Sequence, residues 1–174
     1  MTTGRRLAVL AAVVGLLMVV GCAAASVGEA ASCRRSVHDA EAKVRVDRWD
    51  PPEELPGLGD YPGIHWQERA RGNPCSWLPG PTDWAHQGVA VLHPQDVRRL
   101  VEQYEFVPFA DSDPANLGHS TTPADVWPDL VPYLPTGARW LHSQSYDDAS
   151  PTARDRVAFL DVEHRTLLFM LNDH

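Results

Sequence analysis

Three groups of side chains in this chain could do chemistry, and spacing decides how far each goes. In LGHSTTP, Gly118, His119 and Ser120 supply the first three positions of a G-x-S-x-G turn, which would aim Ser120 as a nucleophile. The fifth position is Thr122 rather than Gly, and Pro123 follows where a long helix would have to begin. Ser120 therefore reads as a loop serine serving a turn. Asp111, Asp113 and Asn116 in DSDPAN could offer oxygens to calcium, yet Ala115, Asn116 and Thr122 stand where an EF-hand loop needs an oxygen ligand, Gly and Glu. The eight histidines, at 38, 65, 86, 93, 119, 142, 164 and 174, include no pair spaced to share a metal on one helix or strand. Neighbouring carboxylates such as Glu53 with Glu54, or Asp147 with Asp148, gain an acid-base role only if the fold brings them to a cleft. Local spacing thus assigns no metal, cofactor or catalytic residue.

Tryptophan points to recognition instead. The chain has six, and Trp49, Trp66, Trp77, Trp84 and Trp127 are the candidate ligand-binding residues, because Trp is enriched in contact hot spots. Their competing role is to staple Pro-rich loops onto the core.

The cysteines fix the setting. Arg5 and Arg6 precede fourteen apolar or Gly residues, Leu7 to Val20, which is the layout of a secretory signal. Val19, Val20, Gly21 and Cys22 then resemble the lipobox of bacterial lipoproteins. That resemblance covers residues 1 to 22 and implies cleavage after Gly21, a diacylglycerol on the Cys22 sulfur, and a lipid anchor in the cell membrane. Two or more acyl chains hold a protein stably on a bilayer, whereas one does so only marginally. The competing reading is a retained span, since Leu7 to Val27 is uncharged over 21 residues. In both readings Arg5 and Arg6 stay on the cytoplasmic side and the remainder faces out.

Acylation of Cys22 leaves Cys33 and Cys75 as an even pair in an oxidising compartment, where a disulfide is expected. Bridging them closes a loop of 43 residues, a constraint on the unfolded chain of about 4 kcal/mol. Cleavage also takes 15 basic groups to 13 against 23 acidic ones, a formal charge near −10. Such a chain lacks the basic surface that nucleic-acid binding requires.

The elements that must position these side chains follow from period and breakers. Residues 1–21 are the signal, 22–31 a tether of small residues, and 32–174 a single α+β domain. Ser32 is the expected N-cap of a helix whose stripe is Cys33, Val37, Ala40 and Val44. The stretch 50–63 holds seven Pro and Gly and should form no regular element. Ile64 to Arg69 and Gly88 to His93 read as strands, with Cys75 to Leu78 a shorter one. Pro94 opens a second helix with Val97, Leu100, Val101 and Tyr104 on one face. Residues 108–137 are Pro-rich, with short helical turns between Thr122 and Leu134. ARWLHSQSY, RVAFLDVE and TLLFMLN complete the strands, the last two as a hairpin of inner strands. The pattern predicts an antiparallel sheet of four or five strands with both helices on one face. The order of helix, cysteine-bearing strand and C-terminal hairpin resembles actinobacterial envelope lipoproteins, which implies a location rather than an activity. The expected function is that of a lipid-anchored, non-catalytic module binding an envelope protein, peptide or glycan. The alternative is a small extracytoplasmic enzyme whose His and carboxylate groups meet from separate loops.

Overall fold

The computed structural model describes residues 31–49, 54–76, 83–111, 121–149 and 155–172. The signal segment, Cys22, Trp77, Asp113, Asn116, His119, Ser120 and His174 lie outside the described residues. Among the described residues no helix is long and apolar enough to cross a membrane.

The domain is α+β, built on one antiparallel sheet in the order β1-β2-β6-β5-β4-β3. The long strands are β1 (Gly63–Arg71), β2 (Asp83–Val91), β5 (Asp155–Asp161) and β6 (Thr166–Asn172). Two further strands, β3 (Val107–Pro108) and β4 (Leu141–His142), have two residues each. They bring the sheet to six strands rather than four or five, and at two residues they carry no alternation to be read. β6 lies between β2 and β5, so the C-terminal run is an inner strand, as its unbroken apolar sequence requires.

Side chains alternate between the two sides of the sheet, and both sides are covered. On the first side, Ile64, Trp66, Ala90, Ala158, Leu160, Leu167, Phe169 and Leu171 meet Val97 and Leu100 of helix α2 (Pro94–Gln103), together with Trp49, Leu55 and Tyr146. On the second, Val89, Val157, Phe159, Leu168 and Met170 meet Leu130, with Val44, Val126, Trp127 and Leu134 packed around them. Leu130 belongs to the 3-10 turn Pro128–Tyr133, which with Pro123–Asp125 forms the short helical turns expected there. Gly88 sits between Trp66 and Phe169 in the register, and the Phe169 ring lies across it. A Cβ at that position would fall 2.3 Å from Phe169 Cζ.

Helix α1 (31–41) departs from expectation in three ways. Ser32 is already helical and so is not its N-cap, and Ala40 is exposed rather than on the buried stripe. Nor does α1 lie beside α2. Its last turn docks at the outer edge of β1, where the Glu41 carboxylate accepts from the Ala70 N–H at 2.9 Å and Arg45 forms a two-way bridge with Trp66. These contacts occupy edge donors that would otherwise template pairing with another chain.

The Cys33–Cys75 disulfide ties α1 to the chain just after β1. Cys75 lies in a turn, not a strand, because the Asn73 side chain accepts from its N–H at 3.2 Å and the Asn73 carbonyl accepts from Ser76 at 3.0 Å. The run from 138 to 146 is also only partly a strand. After His142, Ser143 caps a short helix α3 (Gln144–Asp147) by accepting from the Tyr146 N–H, and the chain leaves the sheet.

Candidate functional site

One His–carboxylate pair is buried beside α3. His142 Nε2 lies 2.8 Å from Asp147 Oδ2, and both side chains are only 3% exposed. The other carboxylate oxygen accepts from the Ala158 N–H at 3.0 Å, so Asp147 replaces β4 as the partner of β5 where β4 ends. Arg156, also buried, donates to the carbonyls of Glu54 and Asp147 at 2.7 Å and to that of Tyr146. Burial pushes the Asp147 carboxyl up, against the His142 hydrogen bond, and holds the Arg156 guanidinium below its ordinary value. Burial likewise raises the Tyr146 phenol. With both side chains buried, this cluster locks α3 and the chain around Glu54 to β5.

A second pair closes the β5–β6 turn. Asp161, fully buried, accepts from the N–H groups of Arg139 at 2.8 Å and His164 at 3.0 Å, and its Oδ2 lies 3.1 Å from His164 Nδ1. These bonds outweigh desolvation and hold its carboxyl below the usual range. Their geometry is that of a turn, and Arg165 completes it at φ 54°. Among the described residues no three His, Cys, Asp or Glu side chains come together as a metal site.

The concave site lies elsewhere, on the second side of the sheet. Strand pairing brings Arg69, Ala85, Asn172 and Asp155 into one cross-strand row, and Gln67, Gln87, Met170 and Val157 into the next. Ala85, small between Arg69 and Asn172, leaves a hollow that Val157 and Met170 floor. The segment carrying Thr121, Asp125 and Trp127 forms its wall, giving an open cleft of about 370 Å³. Gln87 fixes that wall: its amide nitrogen donates to the Asp125 carbonyl at 3.1 Å and its amide oxygen accepts from the Trp127 N–H at 2.7 Å. Thr122 and Asp125 close a capping box that stiffens the same turn.

Arg69 is positioned from two directions. Its guanidinium lies over the Trp127 ring at 4.3 Å and 4.0 Å from the Asp129 carboxylate. Asp129 is held in turn by the Gln67 amide at 3.2 Å. Arg71, exposed at the end of β1, lines the cleft as well.

The tryptophans singled out from sequence do not share one surface. Trp49 and Trp66 are buried and meet edge to face at 4.9 Å in the core, where they pack rather than recognise. Trp84 is half-buried on β2, Trp77 lies outside the described residues, and Trp127 lines the cleft. Sequence reasoning missed Arg69, Arg71, Ala85 and Asn172. The alternation of His65, Gln67, Arg69 and Arg71 along β1 was the available signal, since it marks one polar side of a strand whose other side carries the buried Ile64 and Trp66. No protein-family model, curated protein or solved structure matches this chain.

Proposed function

We propose that the chain is a lipid-anchored, extracytoplasmic binding module, acylated at Cys22, whose ligand site is the cleft lined by Arg69, Arg71 and Trp127. The ligand is an envelope protein, peptide or glycan. The carrying observation is the contrast between two polar sites: the cleft is open and lined by groups that recognise, whereas the His142–Asp147 pair is sealed. The anchor rests on the Val-Val-Gly-Cys sequence after an apolar run flanked by Arg5 and Arg6. The Cys33–Cys75 disulfide supports the extracytoplasmic address, because such bonds persist in oxidising compartments.

Two measurements test this reading. Metabolic labelling with an acyl-chain probe should mark the wild-type chain and not Cys22→Ala, which should keep its signal segment; continued labelling of the variant overturns the anchor. Titration of the mature chain in detergent with a soluble digest of cell-wall glycopeptide should shift the Trp127 indole resonance and leave those of Trp49 and Trp66 in place. Shifts confined to other surfaces, or none, overturn the cleft as the site.

A further inference from the structure

We infer that the cleft selects a carboxylate carried on a small apolar group, the chemistry found at a peptide C-terminus or in a short-chain acid. The inference rests on the cleft being the binding site. In a chain whose acidic residues outnumber its basic ones, the lining carries two guanidinium groups. Arg71 makes no ion pair among the described residues, and Arg69 has only a loose one, 4.0 Å from a half-exposed Asp129. The acidic group in the wall, Asp125, is already engaged, accepting from the Thr122 N–H at 2.7 Å and hydroxyl at 2.9 Å. Within the lining two guanidinium groups thus stand against one carboxylate, with Asp83 across the strand pair from Arg71 and Asp155 at the far end of the Arg69 row, so the lining itself has one positive charge to offer an anion.

Carboxylate is favoured by how the arginines are held. With Trp127 beneath it and Asp129 at one side, Arg69 is restrained while it still has N–H groups to offer, which suits the paired hydrogen bonds of a planar carboxylate. Between Asn172 and Gln87 the floor is apolar through Ala85, Val157 and Met170, so the group attached to the carboxylate should be small, with an apolar side to lay on those three residues. A volume of about 370 Å³ stands at the low end for ligand pockets and suits one or two residues better than a long chain.

The test titrates the mature chain in detergent with N-acetylalanine, N-acetylalaninamide, propionate and inorganic phosphate, following the Trp127 indole and the backbone amides around the cleft. N-acetylalanine should bind about tenfold or more tightly than its amide, a charged hydrogen-bond pair being at stake. Arg71→Gln should erase that preference while the spectrum elsewhere stays that of the parent. Propionate matching N-acetylalanine identifies a free acid as the source, and weaker propionate binding identifies a peptide terminus; both support the inference. Equal binding of acid and amide, or tighter binding of phosphate, overturns carboxylate selectivity while leaving the cleft as a binding site. No shift at the cleft with any of the four probes overturns the inference, and the glycopeptide titration then decides separately whether the cleft is a site at all.

Discussion

Gln67 and Gln87 are cross-strand partners on β1 and β2, and each side-chain amide holds a different segment of the chain against the same side of the sheet. Gln67 donates to the Glu41 carbonyl at the end of α1 and to the Asp129 carboxylate. Gln87 takes both the Asp125 carbonyl and the Trp127 N–H, as a neighbouring strand would. The cleft exists because these two amides fix its wall and its arginine from below.

Gln87→Ala should therefore cost more than a surface change. It leaves one backbone donor and one acceptor of the wall without partners, and we expect a loss of about 1–3 kcal/mol. Urea denaturation should show a lower midpoint with an unchanged slope, and the Trp127 indole should exchange faster with solvent. An unchanged midpoint would show that the glutamine does not hold the wall.

Reduction of the Cys33–Cys75 bond should destabilise the domain by about 2–4 kcal/mol. Cys33→Ser and Cys75→Ser should lower the melting temperature by the same amount as each other, since either removes the disulfide between α1 and the chain after β1. Thiol labelling of the native protein should leave both cysteines unmodified; ready labelling of either counts against the bond.

Gly88 should not accept a side chain while Phe169 lies across it. Gly88→Ala is expected to cost about 1–3 kcal/mol through overpacking. In the Phe169→Leu background the same substitution should cost less, so a double-mutant cycle should give a coupling of about 0.5 kcal/mol or more. Simple additivity would refute the close approach.

Asp147 and Asp161, both buried, should pull the acid limb of stability in opposite directions. Asp161 has a folded pKa below its unfolded value, so its contribution is complete above about pH 4 and is lost as pH falls through the folded value. Asp147 has a folded pKa above its unfolded value, so it detracts from stability as pH rises from about 4 to that folded value. Asp161→Asn should cost about 1–3 kcal/mol near neutral pH, and its deficit should shrink below about pH 4. Denaturation midpoints across that range check this; a deficit that stays constant would contradict it.

What could be read in advance was whatever one segment decides for itself. β5, β6 and α2 follow from apolar runs and a helical stripe, and the Cys33–Cys75 pairing follows from counting. The run from 138 to 146 could not be read that way: Ser143 ends the strand, and Asp147 finds its partner on β5, eleven residues further along. The placement of α1 likewise depends on free donors at the edge of β1, which no property of α1 announces. The cleft is the extreme case. Arg69, Ala85 and Asn172 lie far apart in sequence and meet only through the register of three strands. Trp66 and Trp127 are the same residue type, yet one points from β1 into the first core and the other packs from a covering segment onto the edge of the second, where it lines the cleft.

The most direct test of the binding account is the affinity of Arg69→Ala for the cell-wall glycopeptide digest, measured beside its urea midpoint. Arg69 is part-exposed, its ion pair with Asp129 is loose and its stack on Trp127 is modest, so its loss should cost no more than about 2 kcal/mol. The account predicts a fold that stays cooperative with a modestly lower midpoint and an affinity reduced about tenfold or more, because a charged hydrogen-bonding group is removed from the site. Undiminished affinity with an intact fold would contradict it.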